Sequence, residues 1–394
     1  MSRRVLYLNH TSQMSGGEHS LMLLLGGLPD EVLPILACPE GSLEQAGKAA
    51  AVPWVPVRGT AGSLKLHPVY TPAAVRDLMR AALEVRQAGD ELSIDLIHAN
   101  SIRAGLVAAL AHRIGGPPLL AHIRDVLPPG AMSTMTTRLL AAEADIVVAN
   151  SEYTRRHLPL RGGGARTTVV HNPVDLDRFD SDQVDATAVR RELGLGEGAR
   201  LLAVVAQITP WKGQDTAIRT LAGLRERGHD AHLALAGSAK FVDKATRFNN
   251  EAYRRELHEL SAGLGVEDHV SFLGERGDVP AIMAASEALL MPSWQEPFGR
   301  AVIEAMAVGT AVLATDVGGT TEIVSDGVDG LLLAPEDPDP WIAALDRLLA
   351  DRAHRDRLAA AGHARAAAFS VANHVGALLE IYSEIVPVGG AVMV

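Results

Sequence analysis

Apolar residues along this chain fall in short continuous runs, separated by longer stretches with helical periodicity. In the first half the runs are RVLYLN (4–9), VLPILA (32–37), WVPV (54–57), DLIHA (95–99), LLAHI (119–123), DIVVAN (145–150) and TTVVHN (167–172). Helical patterns lie between them, among them AAVRDLMRAALEVRQA (73–88) and IRAGLVAALAHRI (102–114). Runs without polar alternation predict strands buried on both faces. Helices between them predict a parallel sheet covered on both sides.

The pattern then restarts. RLLAVVAQ (200–207), AHLALAG (231–237), HVSFLG (269–274), ALLMPS (288–293), AVLATD (311–316) and GLLLAP (330–335) predict a second sheet. Its helices include GQDTAIRTLAGLRERG (213–228), RFNNEAYRRELHELSAGLG (247–265) and GRAVIEAMAVG (299–309). HNPVDLDRFDSDQVDATA (171–188), rich in Asp and Pro, reads as a hinge between two doubly wound α/β domains. The predicted domains are 1–175 and 176–370, with an amphipathic helix in 371–394 packing back on the first. Two such domains imply a cleft, with ligands beyond the carboxyl ends of the strands.

Composition narrows the class. A length of 394 residues with 47% apolar content supports two substantial cores. The single cysteine, Cys38, excludes an internal disulfide framework and fits a reducing cytoplasm. No stretch approaches the roughly 20 apolar residues of a spanning helix. The start, MSRRVLYLNHTSQ, lacks a signal peptide's apolar core and reads as a first strand. The expected location is therefore cytoplasmic. A formal charge of −11 argues against broad nucleic-acid binding. Residues 1–170 carry 16 basic and 14 acidic side chains, a balance of +2, and the remainder carries −13. So small an excess in the first half predicts at most weak contact with a membrane surface or an anionic acceptor. It does not address oligomeric state.

The stretch SWQEPFGRAVIEA (293–305) carries the densest chemistry. It follows a buried strand, turns at Pro297, and enters a helix expected from about Phe298 to Val308. Glu296 precedes that helix, while Arg300, Ala301 and Glu304 share one of its stripes. First-turn N–H groups attract phosphate, and Gly299 lets it approach the backbone. A carboxylate on each side, Glu296 and Glu304, could accept hydrogen bonds from sugar hydroxyls. That spacing suits ribose, diphosphate, then hexose.

This stretch resembles the E-x7-E motif of retaining family 4 glycosyltransferases, whose fold is GT-B, two Rossmann-like domains facing across a cleft. VVAQITPWKGQDTAI (204–218) resembles the segment that carries the family's phosphate-binding basic pair. Lys212 falls on the lysine position and Gln207 on the arginine position, which removes one positive charge. SGGEHSL (15–21) resembles the glycine loop, with Gly16 and Gly17 placed for the diphosphate and acceptor. DLIHANS (95–101), VVANSEYTR (147–155), HNPVDLDRF (171–179) and TDVGGTTEIV (315–324) match other landmarks. In FLGERGDVPAIMAASEALLMPS (272–293), the resemblance implies that backbone around Leu273, Gly274 and Glu275 receives the nucleobase. It also places His122, in AHIRDV (121–126), against the donor sugar. His122 or Asp125 could reach the sugar hydroxyls, and Arg124 a phosphate or the acceptor. His98 and Asn100 end another strand, where an acceptor contact and a satisfied core group are equally open readings. Lys240, Lys244 and Arg247 lie on a loop that either covers the nucleotide or is simply solvated.

The resemblance implies a retaining hexosyltransferase using a nucleotide diphosphate sugar, UDP before GDP, and an acceptor hydroxyl on a small molecule, glycan or lipid. Glu296, Lys212, His122 and Arg300 would act on the reacting groups. Gly16, Gly17, Gln207, Leu273, Gly274, Glu275, Phe298, Gly299, Ala301 and Glu304 would join Lys212 and Arg300 in holding the donor. No metal and no cofactor beyond the donor is expected, since no DxD-type clamp lies near the phosphate site. A sugar-nucleotide epimerase of the same fold and a non-catalytic sugar-nucleotide-binding protein are the alternatives.

Overall fold

The computed structural model describes residues 2–60, 70–128, 130–158, 164–240 and 248–387. Cα packing divides the chain into two units, Met1–Pro173 with Val371–Val394, and Val174–Ser370. The first unit runs β1 (Arg3–Leu8), α1 (Gly16–Gly26), β2 (Val32–Cys38), α2 (Ser42–Ala49), β3 (Trp54–Pro56), α3 (Tyr70–Glu91), β4 (Leu96–Ala99), α4 (Ile102–Arg113), β5 (Leu119–Ile123), α5 (Ala131–Glu143), β6 (Ile146–Ala149), α6 (Glu152–Arg156) and β7 (Arg166–Val169). The second runs α7 (Ala186–Glu192), β8 (Arg200–Val205), α8 (Gln214–Glu226), β9 (Ala231–Ala236), α9 (Asn250–Gly263), β10 (Val270–Gly274), α10 (Val279–Ala284), β11 (Ala288–Met291), α11 (Arg300–Ala307), β12 (Ala311–Thr315), α12 (Thr320–Ile323), β13 (Leu331–Leu333), α13 (Pro338–Ala350) and α14 (Arg352–Ala366). The closing helix, α15 (Val371–Ile385), returns to the first unit and packs on α1.

Among the described residues the first unit holds one seven-stranded parallel sheet, ordered β3-β2-β1-β4-β5-β6-β7. The second holds a six-stranded parallel sheet, ordered β10-β9-β8-β11-β12-β13. Alternate side chains feed opposite cores. Leu6 and Leu8 join the cluster of α3 and α4, whereas Val5 and Tyr7 join that of α1 and α15. Leu201 and Ala203 face α10 and α11, whereas Leu202 and Val204 face α8 and α13. Both sheets are thus covered on both faces, as the unalternating apolar runs predict. Every strand expected from those runs is present, to within three residues at either end.

Helix starts depart from expectation by up to three residues, whereas strand starts depart by at most one. α11 begins at Arg300 rather than Phe298, because Gly299 sits at φ 109° and breaks helical geometry. Phe298 instead buries its ring against Phe369, centroids 6.0 Å apart. α8 begins after Gly213, which is also left-handed, at φ 67°. α9 begins at Asn250 rather than residue 247, capped by Asn249, whose side chain accepts from the Ala252 N–H. α3 extends back to Tyr70, because Pro72 falls in its first turn, where no N–H is missed.

Strand order positions the loops that matter. β8 and β11 are neighbours, and α8 and α11 follow them. The β8–α8 and β11–α11 loops are fastened together. The Trp294 backbone N–H donates to the Trp211 carbonyl at 3.1 Å, and its indole N–H to the Pro210 carbonyl at 2.7 Å. Gly213 touches the Pro292 carbonyl so closely that a Cβ there would lie 2.1 Å from the oxygen. Any side chain at 213 must separate the loops and also strain φ. Gly213→Ala is therefore expected to lower the melting temperature by about 3 °C or more. Gly228→Ala, at φ 88° with open space around it, bears only the backbone cost and should lower it less. Calorimetry on both variants tests this ordering.

Candidate functional site

The carboxyl edge of the second sheet gathers the charged residues. Lys212 lies on a 3₁₀ turn, Pro210–Lys212, between β8 and α8. Glu296 lies on the loop between β11 and α11. Adjacent strands bring them together, Lys212 Nζ to Glu296 Oε2 at 2.6 Å, with both side chains largely buried. Ser293, wholly buried, donates its hydroxyl to the same Oε2 at 3.2 Å. The Trp211 ring lies 4.2 Å from the ammonium and shields its other side. Behind the turn, Gly319 N–H donates to the Glu296 carbonyl at 2.9 Å. A Cβ on Gly318 would sit 2.0 Å from that same oxygen. The TDVGGTTEIV loop therefore fixes where Glu296 points.

Arg300 and Glu304 form a second pair, Nη2 to Oε1 at 2.6 Å, on one stripe of α11. Ala301 is buried, and Gly299 brings backbone to the head of the helix. The two pairs are each internally neutral. Gln207 adds no charge, and its amide donates to the Lys240 carbonyl at 3.2 Å. Lys240 Nζ meets Glu275 at 2.8 Å, and Ser238 donates to the same carboxylate at 2.9 Å. Glu275 is exposed, Leu273 and Gly274 are half-buried, and the Gly274 carbonyl accepts from Gly237 N–H at 2.7 Å. The structure thus joins Lys212 to Glu296 and Arg300 to Glu304, and sets Gln207 with the Lys240–Glu275 group. Lys244 and Arg247 lie outside the described residues.

The carboxyl edge of the first sheet is organised by hydrogen bonds rather than ion pairs. Gly16 and Gly17 open α1, whose Ser15 and Glu18 form a capping box. A Cβ on Gly17 would lie 3.3 Å from Arg124 Cδ, so the glycine lets the loop close on that side chain. Arg124 is buried and donates to Asn100 Oδ1 at 3.0 Å, to Asn172 Oδ1, and to His122 Nδ1 at 3.3 Å. Asn100 donates to Asn9 Oδ1 at 3.1 Å, so it is a satisfied interior group. His98 is wholly buried between His122, 3.2 Å away, and the Tyr382 hydroxyl, 2.6 Å away. Burial, then the Arg124 charge, holds His98 and His122 well below the usual histidine range. The same causes take His374 of α15 down to about 3. Asp125 is exposed.

Sequence reasoning passed over Ser293, Trp211, Gly213, His374 and Tyr382. Trp211 and Gly213 flank Lys212 in the sequence, a usable signal. His374 and Tyr382 reach the site only through the return of α15, which no local pattern encodes.

Among the described residues no group of three His, Cys, Asp or Glu side chains could hold a metal ion, and no helix is long and apolar enough to cross a membrane. A family model described as Glycosyl transferases group 1 matches residues 185–365, and one described as Glycosyltransferase Family 4 matches residues 14–178. The D-inositol 3-phosphate glycosyltransferase of Salinispora arenicola is 35% identical over 75% of this chain and 70% of its own length. That of Stackebrandtia nassauensis is 32% identical over 74% and 68%. The crystal structure of Anabaena Alr3699/HepE in complex with UDP-glucose superposes with a TM-score of 0.83 at 26% identity, covering 97% of this chain and 99% of that one. WaaG, a glycosyltransferase involved in lipopolysaccharide biosynthesis, shares the fold at a TM-score of 0.69 and 18% identity, over 97% and 100%. The fold is GT-B.

The buried histidines make acid stability testable. Unfolded histidine binds a proton near ~6.5. Native His98, His122 and His374 do not, so below that pH the unfolded chain holds more protons and stability falls. The slope approaches about 1.4 kcal/mol per pH unit for each such histidine. His10, taken to about 4 by burial and then by Arg103, adds to it. Urea unfolding at pH 7 and pH 5.5 should show the first unit losing its midpoint well before carboxylates titrate. Equal midpoints would contradict neutral burial.

Proposed function

The chain belongs to the glycosyltransferase group 1 family, and on that premise we propose that it moves a hexose-type sugar from a nucleotide diphosphate donor to an acceptor hydroxyl with retention of anomeric configuration. A UDP-sugar is the favoured donor and a GDP-sugar the second. The UDP and UDP-glucose complexes of a structure 26–27% identical to this chain support UDP. The acceptor is a small molecule, glycan or lipid. The relatives' name, D-inositol 3-phosphate glycosyltransferase, supports a small hydroxylated acceptor.

The Lys212–Glu296 pair carries this reading. Its ammonium is suited to the β-phosphate and its carboxylate to sugar hydroxyls, so one ion pair can divide between the two parts of one ligand. Negative charge growing on the leaving phosphate is met by Lys212, Arg300 and N–H groups at the head of α11. Glu304 accepts from the ribose, and backbone at 273–275 receives the base. Gly16, Gly17 and His122, which the resemblance assigns to the diphosphate, the acceptor and the sugar, belong to the first unit. The acceptor attacks on the face the phosphate leaves, and the phosphate takes its proton. Lys212 and Arg300 supply the positive charge, so transfer is independent of added metal. The donor is a substrate, no further cofactor takes part, and the reaction is cytoplasmic.

Glu296→Gln separates the two duties. The amide cannot hold Lys212 as an ion, so UDP should bind as well as in the wild type or tighter. Transfer should fall about 100-fold or more in kcat/KM. Calorimetry with UDP, turnover with UDP-glucose, and the product's anomeric proton coupling measure affinity, rate and stereochemistry. UDP binding lost together with turnover would contradict the division. Sugar conversion without an acceptor would indicate an epimerase. Transfer in excess EDTA is expected to persist, and strict Mg²⁺ dependence would reject metal independence.

A further inference from the structure

α3 is apolar on two faces. Its inner face buries Ala81, Ala82 and Val85 in the core it shares with α4. Its outer face carries Val75, Met79 and Leu83, exposed by 52%, 40% and 53%. Single exposed apolar side chains are ordinary, but these three follow one another at i, i+4 and i+8 and make one continuous ridge. Charged side chains border the ridge in a definite order. Arg76 lies seven positions before Leu83, and Asp90 seven after it. By helix geometry each falls about 20° from Leu83 around the axis and about 10 Å along it, on opposite sides. Neither is firmly held within the chain. Arg76 stands 3.6 Å from Asp77 and Asp90 3.6 Å from Arg86, with all four side chains exposed.

Such a face is complementary to itself. Turned end for end about a two-fold axis at Leu83, it sets Arg76 of each copy opposite Asp90 of the other, and Leu83 against Leu83. Met79 then lies across from Gln87. Arg80 and Arg86, which would repel if they met, fall on opposite flanks of the seam. The charges also weigh against a lipid surface. α3 carries Arg76, Arg80 and Arg86 against Asp77, Glu84, Asp90 and Glu91, a balance of −1. An anionic bilayer asks for a basic excess beside the apolar ridge. We propose that the outer face of α3 is an interface between two copies of this chain, the helices antiparallel and in register at Leu83. One helix per copy is at the small end of specific interfaces, so the dimer is weak, with Kd on the order of 10 μM. This interface uses the first unit alone and is independent of the reaction the chain performs.

Sedimentation velocity on the full chain tests this. The mass is expected to rise from one chain toward two between about 1 and about 200 μM. Leu83→Glu, which keeps a good helix former at an exposed site, should weaken association about tenfold or more and leave the dilute chain folded. Arg76→Asp should weaken it as well, and Arg76→Asp combined with Asp90→Arg should restore it. Leu83→Cys is expected to form a disulfide-linked dimer under mild oxidation. Val75→Cys, whose two copies would lie about 24 Å apart along the helices, should not. Native Cys38 is buried and stays silent. A monomer at every concentration overturns the proposal. So does a dimer that Leu83→Glu leaves intact, which would put the interface elsewhere, and so does equal cross-linking of the two cysteine variants. Capture by phosphatidylglycerol vesicles that Leu83→Glu abolishes, in a chain that stays monomeric, would make the ridge a lipid-docking surface instead. Should Leu83→Glu not fold, the charge swap and the cysteine variants decide alone.

Discussion

A parallel strand can leave its sheet only at its carboxyl edge, and that constraint underlies every contact in the second unit's site. β8 and β11 are hydrogen-bonded neighbours, while β9 lies outward on one side and β12 on the other. The chain departs from these neighbours toward opposite edges of the sheet, leaving a place between their loops. Lys212 and Glu296 belong to those two loops and meet at 2.6 Å for that reason. The glycines at 213, 299, 318 and 319 follow from the same crowding. Where two loops and a third backbone converge, a Cβ has no room.

The charge pattern explains why the site suits a mixed ligand. Lys212 with Glu296 and Arg300 with Glu304 bring two cations and two anions into a half-buried region with no net charge. A buried ion pair offsets its desolvation only through good geometry and further hydrogen bonds. Ser293 donates such a hydrogen bond to Glu296, and the Trp211 ring adds a cation–π contact to Lys212. Such pairs hold shape without a ligand. They can also reorganise around one that is anionic at one end and hydroxylated at the other. A purely anionic ligand would have to displace carboxylates without offering them donors. Gln207 keeps the local sum at zero, where an arginine would make it positive.

The sheets were legible because burial on both faces leaves a signature that composition alone cannot mimic: thirteen apolar runs without alternation, each a strand in the structure. Helix starts were less so. Periodicity continues through Gly299 and Gly213, and only their left-handed backbone ends it. Glu296 and Lys212 stood out because each follows a strand. Their contact needed the strand order, which hydrophobic pattern does not encode. The Arg300–Glu304 stripe was readable from spacing. His374 and Tyr382 were invisible locally. Their helix reads as an ordinary amphipathic one, and their partners come from the other end of the chain.

The first unit solves a different problem with neutral groups. His98, His122 and His374 lie beside a buried guanidinium, and a proton on any of them would face like charge in a dry interior. Arg124 is instead shared among Asn100, Asn172 and His122, and none of these contacts is a carboxylate. Its charge lowers the proton affinity of all three histidines. Tyr382, kept protonated by burial, completes the ordering from the far side of His98. The second unit's edge is built from ion pairs, and the first unit's from neutral groups hydrogen-bonded around one guanidinium.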